Sequence, residues 1–160
     1  MPDGRFCKIK NMNTIINKKL THDYEVLEKY SCGIELLGHE VKSIRKGMIN
    51  ITGAKVILIG GEVFLIGADI HPYQENNTMV NKNLKSTVVK YDKLRTRKLL
   101  MNRKEIAKLY KLMENKGLHL APYSVFDAHG IIKVDIALCK KLNKHDKREK
   151  IKKRDFQQAG

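Results

Sequence analysis

The sequence predicts a mainly β fold: a small antiparallel barrel of about six strands, two to three helices around it and a basic C-terminal tail. Three observations predict it. Two pairs of β-rich runs are joined by short turn signals, Gly60-Gly61 and Asp127-Ala128-His129-Gly130. Apolar residues recur at three- and four-residue steps in only two places, so helices are few. The helices fall between strands without a βαβαβ rhythm, which argues against a doubly wound sheet. A closed or partly open barrel removes its own edges at this size.

With 160 residues, 42% of them apolar, the chain can bury one core and still carry a tail or two. Residues 1–16 lack periodicity and read as a flexible basic arm. Residues 17–140 read as the barrel domain and 141–160 as a basic tail, disordered when free. Thr21-His22-Asp23-Tyr24 opens the fold, and Tyr24, Val26 and Leu27 lead a first strand toward Tyr30, with Gly33 a bulge or turn. Gly38 to Lys46 is expected to be helical. Leu37, Val41 and Ile44 form its stripe, Glu40, Lys42 and Arg45 point away, and Gly47 stops it. Ala54–Ile59 and Glu62–Ile70 form a hairpin that ends at Pro72. Residues 74–92 read as a mobile polar loop, with a short strand conceivable over Ser86–Tyr91. Arg103 to Lys116 is the clearest helix, with Ile106, Leu109, Tyr110 and Met113 on its inner stripe, Asn102 as N-cap and Gly117 just past its end. Leu118–Phe126 and Ile131–Cys139 complete a second hairpin.

Between these elements lies Arg95-Thr96-Arg97-Lys98-Leu99-Leu100-Met101-Asn102, a cationic run that turns apolar within one step. Strand geometry puts Arg95, Arg97, Leu99 and Met101 on one face and Thr96, Lys98, Leu100 and Asn102 on the other. Leu99 and Met101 are the expected core anchors. Arg95, Arg97 and Lys98 are expected at the strand's entrance as phosphate positioners.

Thirty-two Lys and Arg against 17 Asp and Glu leave a net charge of +15, which points to a polyanionic partner. The longest apolar region, Val56 to Ile70, is broken by Gly60-Gly61-Glu62 and Asp69 and is too short for a bilayer, so no membrane partner is expected. No signal-peptide pattern is evident, and the three scattered cysteines, Cys7, Cys32 and Cys139, do not suggest a disulfide framework. A cytoplasmic protein is the natural reading.

Catalysis finds no footing. The six histidines are spread one per element, no Cys-x-x-Cys or phosphate-binding Gly-rich loop occurs, and Glu35 and Glu40 read as surface charges. A metal site from Cys32, Cys139 and a histidine is conceivable, but no spacing supports it. No cofactor is expected. Nucleic acid fits better: cations interleave with Tyr24, Tyr30 and Tyr73, and six strands with a basic surface suit an oligonucleotide-binding-type barrel. A ribosomal or general nucleic-acid-binding barrel protein is the alternative.

Several stretches, in a consistent order over roughly residues 17–155, carry a resemblance. They are Asn17-Lys18-Lys19 with His22-Asp23-Tyr24, Gly38 through Arg45, Gly61 through Leu65, His71-Pro72-Tyr73, Arg95 through Leu100, and Asp146-Lys147-Arg148 with Ile151 through Asp155. As a set they resemble the SmpB family, which binds transfer-messenger RNA and helps rescue stalled bacterial ribosomes. The resemblance implies the six-stranded barrel and no catalysis. It implies a body that grips the tRNA-like end of that RNA and a tail that enters the empty mRNA channel near the decoding centre. Elongation factor Tu and alanyl-tRNA synthetase act on the same RNA, and the protein is expected to be a monomer.

Carried over by position, the RNA-facing candidates are Asn17, Lys18, His22, Tyr24, Gly33, Leu100 and Asn102. The tail candidates for the ribosome are Lys140, His145, Asp146, Lys147, Arg148, Lys152, Lys153 and Arg154, with His145 nearest the decoding bases. The chain departs from the family pattern at Tyr30-Ser31-Cys32-Gly33, where Ser31 replaces a glutamate that contributes to RNA binding, and in a longer loop after Tyr73.

Overall fold

The computed structural model of the chain describes residues 14–73 and 91–158. The arm ahead of residue 14 and most of the expected loop, including nearly all of the conceivable strand over Ser86–Tyr91, lie outside the described residues. Three long strands carry the architecture: β2 (Tyr24–Ile34), β8 (Leu118–Ala128) and β9 (Ile131–Lys141). Around them stand β1 (Ile15–Ile16), β3 (Ile49–Asn50), β4 (Lys55–Ile59), β5 (Glu62–Ile66), β6 (Asp69–Ile70) and β7 (Arg97–Leu100). The helices are α1 (Lys18–Asp23), α2 (Gly38–Arg45), α3 (Arg103–Met113) and α4 (Lys144–Gln158).

Both predicted hairpins form. Gly60 and Gly61 have φ of 57° and 78°, and His129 and Gly130 have φ of 53° and 86°. Left-handed values at both central residues make the tight turn whose twist matches its strands. The Asp127 carboxylate accepts the Gly130 N–H at 2.7 Å and fixes the second turn.

The sheet is antiparallel, in the order β1-β8-β9-β2-β7-β5-β4, with β3 and β6 forming a separate two-stranded ribbon. The expected mainly β, antiparallel architecture is present, with the sheet open rather than closed into six strands. Seven strands share one sheet, and among the described residues no ladder joins its edges β1 and β4. Instead β4 lies beside β8, and its Val56 shares one buried cluster with Leu120 and Val125. Val56, Val63, Leu65, Leu99, Leu120, Val125, Val134, Ile136 and Leu138 meet in the curl this creates, under Ile44 of α2 and Ile106 and Leu109 of α3. Bulges at Leu27 in β2 and Tyr123 in β8 bend the long strands around that core.

Two short elements begin earlier than expected. Ile15 and Ile16, assigned to the flexible arm, pair with Val125 and Ser124 of β8. Asn17 then caps α1, a helix too short to show a period in the sequence. In the tail, Lys144 to Gln158 is helical, as its Lys, Arg and Glu content permits. Among the described residues no helix is long and apolar enough to cross a membrane.

Candidate RNA interface

The cationic run separates into two faces as the strand period demands. Leu99 is buried and Met101 half-buried, while Leu100 and Asn102 are exposed. Arg97 follows Leu99 inward and has no exposed surface. It meets Glu40 of α2, which is equally buried. Arg97 Nη2 lies 2.8 Å from Glu40 Oε1, Arg95 Nη2 lies 2.6 Å from Oε2, and the Tyr91 hydroxyl donates to Oε1 at 2.9 Å. The Leu37 N–H supplies a further bond to Oε2 at 2.9 Å. The remaining Arg97 donors go to the carbonyls of Ala68, Lys93 and Arg95. Burial opposes ionisation of Glu40, but the bonds from Arg95, Arg97 and the Leu37 amide outweigh it and hold the carboxyl at about 2. Burial and then Glu40 push the Tyr91 hydroxyl up to about 12.

Two expectations therefore fall. Glu40 is not a surface charge: it lies four residues before buried Ile44 on the same helical stripe, so it cannot turn away. Arg97 is not a phosphate positioner, because every direction its guanidinium can bond is taken inside the fold. Arg95 keeps about a third of its side chain exposed but spends its fork on Glu40. Lys98 points outward and pairs with Glu62 at the surface, so it alone of the three remains within reach of a phosphate.

Beside this clamp, Leu100 of β7 is exposed. Leu100 is opposite Gly33 of β2 and 49% exposed. A Cβ added at Gly33 would lie 3.2 Å from the Leu100 Cβ, so glycine lets the leucine lie flat across the neighbouring strand. Asn102 occupies the N-cap position of α3, where its carbonyl accepts the Ile106 N–H at 3.0 Å. Its side-chain amide makes no capping bond among the described residues, so the expected cap is backbone only and the amide stays outward. Ser31 and Lys29 continue the exposed face along β2 as far as the Leu27 bulge, where the strand's faces exchange. Opposite Ser31 on β9 stands Asp135, raised above the usual carboxylate range by burial. One of its oxygens has no partner among the described residues. A carboxylate absent at position 31 is thus present one strand away, which spacing along the chain could not reveal.

The second cluster of candidates lies at the other end of β2, about 30 Å along the strand from Gly33. Lys18 and His22 are exposed on α1. Asn17 is not: it is 3% exposed, its Oδ1 accepts the Leu20 N–H at 3.1 Å, and its Nδ2 donates to the carbonyls of Pro122 and Ile51. It fixes α1 on the sheet, a correction to its expected place at the RNA surface. Tyr24 is half-buried, edge-on to His119 and packed against Leu20, Ala121 and Cys139. Of the tyrosines expected to stack bases, Tyr30 is bonded to Glu28, and Tyr73 is covered by Lys42 and Lys46. Tyr123, at the β8 bulge, has Lys29 3.8 Å above its ring, an aromatic–cation pair on the exposed face that the sequence reading missed.

Cys32 and Cys139 sit in separate clusters, and burial pushes their thiols up to about 12 and about 11. The conceived metal site does not assemble. The tail candidates lie along α4, except Lys140, which is exposed near the end of β9. His145 is 81% exposed. Lys144, Arg148, Lys152, Lys153 and Arg154 are exposed as well, and Asp146 receives the Asn143 N–H at 3.3 Å at the helix start.

The SmpB protein family model matches residues 14–159. The chain belongs to the SmpB family. The SsrA-binding protein of Dechloromonas aromatica (strain RCB) is 45% identical over 152 residues, covering 92% of this chain and 96% of the relative. That of Bacillus velezensis (strain DSM 23117 / BGSC 10A6 / LMG 26770 / FZB42) is 43% identical over 139 residues, 87% of this chain and 83% of the relative. A solved chain described as "tmRNA-SmpB: a journey to the center of the bacterial ribosome" superposes with a TM-score of 0.63 at 34% identity, covering 86% of this chain and 94% of that one. SmpB proteins are RNA-binding proteins and not enzymes.

Proposed function

We propose that this SmpB-family chain binds the tRNA-like part of transfer-messenger RNA and brings it to stalled ribosomes. The observation that carries this reading is the Leu100–Asn102 edge: an apolar side chain laid flat by Gly33 and an uncommitted amide, both outward, beside a strand that ends in buried charge. An unstacked base gains apolar contact from Leu100, and its edge or ribose can bond to Asn102. Lys98, Lys18 and His22 add phosphate and ribose contacts along the β2 face. The body acts as an oligonucleotide-binding-type barrel left open at its edges. The tail acts separately: α4, with His145 near its start and Lys152, Lys153 and Arg154 farther on, enters the empty mRNA channel near the decoding centre. In this reading the protein is a cytoplasmic monomer, and elongation factor Tu and alanyl-tRNA synthetase meet it only through the shared RNA.

The test is competition. Binding to a tRNA-like fragment of transfer-messenger RNA is measured at one fixed salt concentration with excess bulk tRNA and duplex DNA. Selective retention of the fragment supports the reading. Equal affinity for all three nucleic acids would favour the alternative of a general nucleic-acid-binding protein.

A further inference from the structure

The body and the tail meet at one carboxylate. Asp23, the last residue of α1, has its Oδ1 2.8 Å from His22 Nδ1 and 3.2 Å from Lys147 Nζ of α4. Its backbone carbonyl accepts the Leu142 N–H at 3.1 Å, in the short link between β9 and α4. One turn farther along α4, Lys150 Nζ donates to the carbonyl of Thr21 at 2.6 Å and to that of Tyr24 at 3.3 Å. The base of the tail helix is therefore fastened to the C-terminal end of α1. That end offers unsatisfied carbonyls and the negative pole of the helix. The rest of α4 projects with its cations and Phe156 exposed.

We propose that Asp23 is a positioning residue that orients two functional groups at once: the His22 ring toward RNA and the α4 helix toward the ribosome. This rests on the division of labour given under Proposed function. With Nδ1–H directed at the carboxylate, His22 presents Nε2 outward, where a ribose hydroxyl or base edge can reach it. With Lys147 held by the same oxygen, α4 leaves the body in one direction rather than many, which lowers the ordering cost when it enters a confined channel. The carboxyl is held below its ordinary range, first by its bond to His22 and then by its bond to Lys147, so both partners act on its ionised form. Neither partner is at the core, so the device can yield when the RNA or the ribosome supplies a better contact.

The experiment uses the full chain with Cys7→Ser and spin labels at Lys55→Cys on β4 and Gln157→Cys on α4; the native Cys32 and Cys139 are buried. Distance distributions are recorded in the RNA-free protein, so this arm does not depend on which RNA is recognised. The parent should give one narrow distance. Asp23→Asn and Lys147→Glu should each broaden it, lowering the docked-to-undocked ratio roughly two- to fivefold, as for an exposed ion pair. Asp23→Lys combined with Lys147→Glu should narrow it again. In the second arm, Asp23→Asn should weaken fragment binding about threefold, and the swapped pair should stay as weak, because an ammonium in place of the carboxylate cannot accept the His22 N–H. Melting temperatures of all variants guard against simple misfolding. An unchanged distance in Asp23→Asn, or no rescue by the swap, overturns the proposal. Failure of the parent to select the RNA fragment, with the distances behaving as stated, overturns the functional reading and leaves the junction intact.

Discussion

The clamp around Glu40 and the α4 tail are built from the same kinds of residue and end in opposite conditions. In the clamp, Arg95 and Arg97 converge on one buried carboxylate, and each polar atom of Arg97 is bonded inside the fold. In the tail, Arg148, Lys152, Lys153 and Arg154 face solvent, and among the described residues only Lys147 and Lys150 are fastened to the body. A cation on a strand that alternates with core leucines becomes structure. A cation on a helix without an apolar face stays available to phosphate. Net charge alone does not distinguish them, although the two regions contribute to the same +15.

The sharpest way to break the comparison is to remove one member of each region. Glu40→Gln should destabilise the chain by roughly 3–5 kcal/mol in chemical unfolding, because Arg97 is left buried beside an uncharged partner. Deleting 144–160 should move the unfolding midpoint of the body hardly at all. Comparable losses from both changes would erase the distinction. Acid should expose the same contrast. The Glu40 carboxyl titrates at an ordinary 4.5 when unfolded and at about 2 when folded. Its stabilisation is therefore complete above 4.5 and is lost as pH falls through about 2. The amount is about 3 kcal/mol, from the shift between the two states. Unfolding free energy against pH for the parent and Glu40→Gln should converge toward pH 2; parallel curves would contradict the clamp.

A smaller effect separates binding from folding. Leu100→Ala with Asn102→Ala should weaken selective fragment binding about tenfold or more, near 1.4 kcal/mol, and leave the salt slope nearly unchanged. Arg97→Ala should instead lower stability. If Arg97→Ala reduced the salt slope in a protein that remained folded, the inward assignment of Arg97 would be wrong. Gly33→Ala should give the mildest loss, a few-fold in affinity. The new methyl would meet Leu100 at 3.2 Å and tilt it off the strand.

Much of this was legible in the sequence, and the failures have a common cause. Gly60-Gly61 and His129-Gly130 announce their turns because few other residues tolerate left-handed backbone there. The stripes of α2 and α3 are long enough to read, and the strand alternation correctly sent Leu99 inward and Leu100 outward. The same alternation puts Arg97 on the inner face, although its charge suggests the surface. Glu40 looks like a surface charge for the same reason, since its counter-ion lies 57 residues away and only the fold brings it beside the carboxylate. Asp135 opposite Ser31, and Asp23 between His22 and Lys147, are contacts of tertiary structure with no periodic signal. The strand β1 and helix α1 were missed because two and six residues are too few to show a period.

Under the proposed function, the body recognises RNA through its β2–β7 face and the tail serves a separate step. The measurement that tests it most directly compares three proteins for binding to the tRNA-like fragment under excess bulk tRNA: the full chain, the chain lacking 144–160, and the full chain with Leu100→Ala and Asn102→Ala. The tail-less protein should keep its affinity within about threefold, while the double substitution should lose about tenfold or more. A large loss on removing the tail, with the double substitution binding as well as the parent, would contradict it.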